Sequence, residues 1–181
     1  MKCLPHSTPN NWNSPGHVTA IIIPNLYNQN AVDPFRPKVS SQTLAIAEKL
    51  LASIGAMQVQ YHVTNPRYYQ IRVGFGVKFK LEFEFNYYSR LLNQNIIEFL
   101  TPWIKEADKD IYFGGIVYKS EILDFIEELP FVDFLTDFTL MGYENEQALL
   151  NNNVKDASNI SVTEPDMIMV SAKEHDIYQI N

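Results

Sequence analysis

Apolar and polar residues change period several times along this chain, and each change marks a predicted element. Residues 17–23 end in Ile21-Ile22-Ile23 and are closed by Pro24, Asn25 and Asn28, the pattern of a buried strand followed by a loop. Pro34 and Pro37 lie in the loop over residues 27–39, and Ser40 or Ser41 then offers a hydroxyl to the free amides of a helix start. Leu44, Ala47, Leu51 and Ile54 recur at helical spacing, Ile46 and Leu50 widen that face, and Gly55 ends the helix. From Met57 the period becomes two, with Met57, Val59, Tyr61 and Val63 on one side and Gln58, Gln60 and His62 on the other.

Asn65-Pro66 turns the chain, and Tyr69, Ile71, Val73, Phe75, Val77 and Phe79 then alternate with Gln70, Arg72, Gly74, Gly76, Lys78 and Lys80. The alternation continues to Phe85, longer than a usual strand, which predicts a bulge or bend near Gly74 or Gly76. Asn86 is the expected cap of a second helix carrying Tyr88, Leu92, Ile96, Phe99 and Trp103 on one face, stopped at Pro102. Residues 111–118 predict a strand containing Gly114-Gly115. Ser120 then caps a third helix with Ile122, Leu123, Ile126 and Leu129 apolar, ended by Pro130, and residues 132–140 return to extended structure with Val132, Phe134 and Phe138 on one face. The expected core includes Val59, Tyr61, Ile71, Val73, Phe75, Leu92, Ile96 and Phe99.

The opening order, strand-helix-strand-strand-helix-strand, is that of the split βαβ unit. It predicts an α+β fold, a ferredoxin-like two-layer sandwich with helices on one face of an antiparallel or mixed sheet. The predicted division is a sandwich domain over 1–143, a polar linker over 144–158 containing Asn151, Asn152 and Asn153, and a C-terminal β-hairpin or strand extension over 159–181. In that extension Met167, Ile168, Met169, Val170, Ile177 and Ile180 are too apolar to stay in water, so packing on the sheet of the same chain is expected, the alternative being an arm that reaches a neighbouring subunit.

Composition narrows the function. A net charge of −7 and no run of Lys or Arg leave out the electrostatic footprint of a nucleic-acid or anionic-membrane binder. Cys3 is the only cysteine, so neither an intrachain disulfide nor a thiolate-rich zinc site can form from one chain. The longest aliphatic run, residues 20–23, is far too short to cross a bilayer. Residues 1–19 carry no apolar segment of the signal-peptide kind.

Candidate chemistry is sparse. His6, His17, His62 and His175 include no pair at the i, i+4 spacing of a helical metal site, and His62 is expected to face solvent from the polar side of a strand. Asp108 and Asp110 resemble the start of a calcium loop whose later Gly and Glu do not follow. Glu121, Asp124, Glu127 and Glu128 read as the solvated face of the third helix, and Glu82 and Glu84 as part of a charged outer surface. Gly74-Phe75-Gly76 sits mid-strand, the wrong place for a dinucleotide loop. Arg67, in the turn after Asn65, reads as a surface charge, and the sequon at Asn159 has meaning only in a glycosylating pathway. No nucleophile, base and oxyanion donor assemble, so no catalytic, cofactor-binding or metal residue is assigned and no cofactor is expected.

Several ordered stretches resemble the C-terminal part of baseplate J-like proteins, components of contractile phage tails and injection systems. They are Pro15-Gly16-His17-Val18 running into Ile21-Ile22-Ile23-Pro24, then Pro37-Lys38-Val39-Ser40, Val63-Thr64-Asn65-Pro66 and Leu100-Thr101-Pro102-Trp103. Phe113-Gly114-Gly115, Leu129-Pro130-Phe131-Val132, Pro165-Asp166 and His175-Asp176-Ile177 complete the set. The resemblance implies a non-enzymatic baseplate wedge component, a homo- or hetero-oligomer in the particle. Its implied partners are other wedge subunits and tail hub or sheath components, with no nucleic acid and no membrane. It further implies assembly in the bacterial cytoplasm into a phage tail or injection particle. Family members carry further domains upstream, and Lys2-Cys3-Leu4 reads as the middle of a strand, so a C-terminal fragment of a longer protein is expected. The alternative from the residues alone is a ferredoxin-like small-molecule or regulatory binding domain, since that fold hosts many functions.

Overall fold

The computed structural model describes residues 1–24, 33–105, 110–145 and 156–180. The triple Asn of the expected linker and the Asp108 half of the calcium-like turn lie outside them. The fold is mixed α+β, and the chain divides into two compact units, Met1–Arg67 and Tyr68–Asn181.

In the first unit β1 (Lys2–Pro5), β2 (His17–Ile21) and β3 (Gln60–Thr64) form a sheet in that order, β1 antiparallel to β2 and β2 parallel to β3. Between the two parallel strands lies α1 (Ser41–Ile54), the crossover helix that a parallel pair requires. Ser40 is its cap, its Oγ accepting the Thr43 N–H at 3.2 Å. Gly55 ends the helix in extended backbone with φ −84° rather than in the left-handed form, and the Tyr61 ring, which occupies the space a Cβ would need, is what calls for glycine there. Side chains hold the open edge of β3 and the residue that follows it. The Glu48 carboxylate accepts the Val63 N–H at 3.1 Å, and the Asn65 amide both accepts from Val39 N–H at 2.8 Å and donates to Val39 O at 2.9 Å.

The second unit is centred on β4 (Arg67–Phe79). β6 (Val132–Tyr143) runs antiparallel along one edge, and β8 (Met167–Ser171) and β9 (Asp176–Gln179) share the other. A separate pair joins β5 (Gly115–Tyr118) to β7 (Asn159–Val162). Helices α2 (Phe85–Leu100) and α3 (Lys119–Glu127) supply Leu92, Ile96, Ile122 and Ile126 to a core shared with Ile71, Val73, Phe75 and Val77 of β4.

The ferredoxin-like arrangement is therefore not reproduced. Its strands are distributed over three sheets, and β3 and β4, expected as a hairpin about Asn65-Pro66, pair with different partners. In the C-terminal stretch, expected as a hairpin or strand extension, β7 pairs with β5, and β8 and β9 pair with β4 of the same chain. Met167, Ile168 and Val170 are buried there.

Register explains the local corrections. Between Gly74 and Gly76 of β4, partnered by Thr139 and Thr136, β6 holds one extra residue, and between Lys78 and Phe79 it holds another. The expected irregularity is present, but the extra residues belong to β6. Asp137 takes φ +51° beside the first bulge, and the second lies between Val132 and Phe134 and breaks the alternation there, so Phe134 is exposed while Phe138 and Leu140 are buried. Phe99 is also largely exposed, stacked on Phe125 with centroids 4.4 Å apart. Val59 and Tyr61 are only half-buried, and Met57 precedes β3 fully exposed. Helix α2 starts at Phe85 with Glu84 as cap residue, so Asn86 lies inside it; α3 starts at Lys119, so Ser120 does as well.

Candidate functional site

The densest polar network surrounds His175, in the short turn between β8 and β9. Its Nδ1 accepts the Val73 N–H at 3.2 Å, which leaves the proton on Nε2, 3.0 Å from Ser171 Oγ. Ser171 Oγ in turn donates to Ala172 O at 2.9 Å, and Ser171 N–H is held by Thr101 Oγ1 at 2.7 Å. Asn93 closes the turn from α2: its Oδ1 accepts His175 N–H at 2.9 Å and its amide donates to Lys173 O at 3.3 Å.

A serine beside a histidine suggests nucleophilic catalysis, and here the proton directions are opposite to what that needs. A base must offer an unprotonated ring nitrogen to the hydroxyl. The free lone pair of His175 is engaged by a backbone amide, and its Nε2–H points at the hydroxyl it would have to deprotonate. Burial, and secondarily the Arg72 guanidinium, push its pKa from the ordinary histidine value to about 3, so it stays neutral. The pair substitutes for a missing stretch of strand on the β4 edge. Beside it an open polar hollow of about 290 Å³ is lined by Ser89, Arg90, Asn93, Glu174, His175 and Ile177.

The parallel β2–β3 register brings His17 and His62 together, which their separation in sequence concealed. Their rings stack at 5.3 Å with 10° between planes, and His17 Nδ1 lies 3.0 Å from His62 Nε2. His62 is thus a half-buried partner of His17, not a lone solvent-facing imidazole. Among the described residues no group of three His, Cys, Asp or Glu side chains could hold a metal ion.

The remaining candidates are structural or peripheral. Cys3 is exposed on β1, Arg67 is exposed at the start of β4, and Asn159 is exposed at the start of β7. Glu121 accepts the Tyr118 N–H at 3.5 Å at the start of α3. Asp156 accepts Leu140 N–H at 2.8 Å and pairs with Lys119 at 2.9 Å; that backbone hydrogen bond first, then Lys119, hold its pKa below the usual carboxylate value. The charges that composition left unassigned are thus partly spent on closing sheet edges.

What the surface does offer is apolar. Ile46, Leu50 and Ile54 project from α1, Leu81 from the segment joining β4 to α2, Tyr87 from the first turn of α2, and Ile116 and Tyr118 from β5. Sequence reasoning placed Ile46, Leu50 and Ile54 in a core face. The β3 sheet covers only the Leu44, Ala47 and Leu51 side of the helix, and no residue of α1 is fully buried. Among the described residues no helix is long and apolar enough to cross a membrane.

Known proteins offer matches of two kinds. The profile of a family described as "Baseplate protein PVC11-like" matches residues 9–163. No curated protein matches the sequence. Among solved structures, a chain in the six-fold symmetrised cryo-EM structure of the anti-feeding prophage (AFP) baseplate is similar in fold, with TM-score 0.57 and 14% identity. The match covers 86% of this chain and 29% of the other, so the present chain spans under a third of that protein.

Proposed function

This chain belongs to the PVC11-like family of baseplate proteins, and from that premise we propose that it is a structural wedge component of a contractile injection baseplate. The family match over residues 9–163 carries the reading. Two chemical observations support it: the Ser171-His175 pair is oriented against catalysis, and large apolar side chains stand exposed on several elements. The chain acts by surface complementarity, without a reaction of its own. Its partners are neighbouring wedge subunits and hub or sheath components, met in the bacterial cytoplasm where the particle is built. A second element of the proposal, that this sequence corresponds to the C-terminal portion of a longer protein, rests on the resemblance of its ordered stretches to the C-terminal part of baseplate J-like proteins, and a match spanning 29% of the AFP baseplate chain is compatible with it.

Deletion of the gene, followed by electron microscopy of purified particles, tests this. Tubes or sheaths lacking baseplates are expected, with recovery on complementation. Complete particles assembled without the protein would overturn the wedge assignment.

A further inference from the structure

We propose that His17 and His62 form a proton-sharing latch between β2 and β3, closed while the pair holds at most one extra proton and opened in acid once each ring carries its own. The two parallel rings are offset until nitrogen faces nitrogen. The 5.3 Å between their centroids is the 3.0 Å contact of His17 Nδ1 with His62 Nε2 plus about one ring radius at each end. With 10° between planes, the contact lies close to the plane of both rings, where an imidazole nitrogen holds either its proton or its lone pair. One nitrogen therefore carries the hydrogen and the other accepts it. A metal ion between two facing nitrogens, ~2.0–2.1 Å from each, would hold them about 4 Å apart, so the seat takes a proton.

Counting protons gives the states of the latch. The neutral pair has one donor and one acceptor in the contact. A first extra proton goes to the far nitrogen of the donor ring and turns the contact into a charge-assisted bond. A second has only the accepting nitrogen left. It removes the acceptor, sets two N–H groups against each other and puts two positive rings in contact. The parted rings bind one proton more than the closed pair, so opening is favoured as pH falls through the histidine range.

No counter-charge relieves that repulsion. Among the described residues neither ring has a carboxylate partner. Strand alternation places Thr19 and Gln60 on the face of the pair, with Leu4 and Lys2 of β1 beside them, Lys2 at the far end opposite Ile21. Cys3 alternates to the other face, where Tyr61 meets the end of α1. The remaining titratable groups of the elements packed here are His6, in the turn after β1, and Glu48 and Lys49 of α1, and the Glu48 carboxylate is engaged by the Val63 N–H. Loosening begins at the start of β3, because His17 lies opposite Gln60, its first residue, whose N–H donates to Gly16 O at 2.9 Å. The latch belongs to the first unit alone and does not depend on the wedge assignment.

Histidine-selective 1H–15N spectra of the intact chain at neutral pH should show one slowly exchanging N–H shared by the His17 and His62 rings. The protection factor of the Gln60 amide should fall by about tenfold or more between about pH 7.5 and about pH 5, the scale of one like-charge contact. His62→Gln keeps a hydrogen-bonding group that takes up no proton, and should hold Gln60 protected across that range; His17→Gln should do the same. His175→Gln, in the second unit, should leave the fall unchanged, which separates the latch from the buried histidine. Rings that titrate independently with no shared N–H overturn the proposal, and that spectrum decides by itself if both Gln variants fail to fold. So do a Gln60 protection factor that does not fall with pH, and a fall equally steep in both Gln variants. Stoichiometric zinc binding that His62→Gln abolishes would also overturn it, by putting a metal where the proton is assigned.

Discussion

The ring of Tyr178 lies across Gly76, so close that a Cβ at Gly76 would stand 2.7 Å from the ring's Cε2. The same Cβ would meet Ile180 Cγ1 at 2.7 Å and Thr136 Oγ1 at 2.8 Å, so side chains from both neighbouring strands close over the backbone of β4. Gly76 is extended there, and close approach, not turn geometry, explains the glycine. Gly76→Ala should destabilise the protein by about 1–3 kcal/mol through overpacking. Hydrogen exchange should show the loss concentrated at the Ile180 N–H, which bonds Val77 O at 3.1 Å. Unchanged stability and protection would mean that β9 shifts freely.

His175 gives a pH dependence with a definite sign. Its folded pKa of about 3 lies below the ordinary histidine value of 6.5, so the unfolded chain binds the extra proton first. Stability from this group is complete above about pH 6.5 and is lost as pH falls from there toward 3, by up to ~1.4 kcal/mol per unit. Asp156 and Glu98, whose pKa values are lowered, add their own loss only at lower pH, within and below the carboxylate range. His175→Gln should be less stable at pH 7 and flatter between pH 7 and 5 in denaturant titrations. An equal slope in both proteins would remove His175 as the source.

Deleting residues from Pro165 onward takes away Met167, Ile168, Val170 and Ala172, all buried, and strips one whole edge of β4. At ~1 kcal/mol or more for each large apolar side chain, several kcal/mol are lost and the chain should aggregate or melt far lower. A truncated chain with the native melting temperature would show that these strands contribute nothing to the fold.

Asn65→Ala removes both hydrogen bonds that tie the end of β3 to Val39. The expected cost is about 1–3 kcal/mol, because Val39 loses a donor and an acceptor partner together. Asn65→Asp keeps the acceptor and should recover part of it. Equal stability of Asn65→Ala and the wild type by chemical denaturation would show that water replaces the amide fully.

The sequence by itself determined the elements whose signal is local. The period of two in Tyr69, Ile71, Val73, Phe75 and Val77 made β4, and the helical recurrence of Leu92 and Ile96 made α2, because side-chain direction follows backbone period wherever one face is buried. The apolar C-terminal runs required pairing, and β4 of the same chain supplies it. Ser40, too, was legible as a cap, since a hydroxyl reaching an amide three residues on is a short-range event. The ordered set of turn and packing residues resembled baseplate proteins before any contact was known.

Only the tertiary structure decided what depends on which strands lie side by side. The split βαβ order is compatible with one sheet or several, and the division of β3 and β4 between different sheets arises from long-range partners that no local pattern encodes. Residues far apart in sequence became neighbours for the same reason. His17 met His62 through the parallel register, and Val73 met His175, about a hundred residues away, and so set the orientation of its ring toward the nearby Ser171. The bulges in β6 reversed Phe134, and a sheet covering one side of α1 left Ile46, Leu50 and Ile54 in water. Periodicity tells which residues share a face; only packing tells whether another surface covers that face.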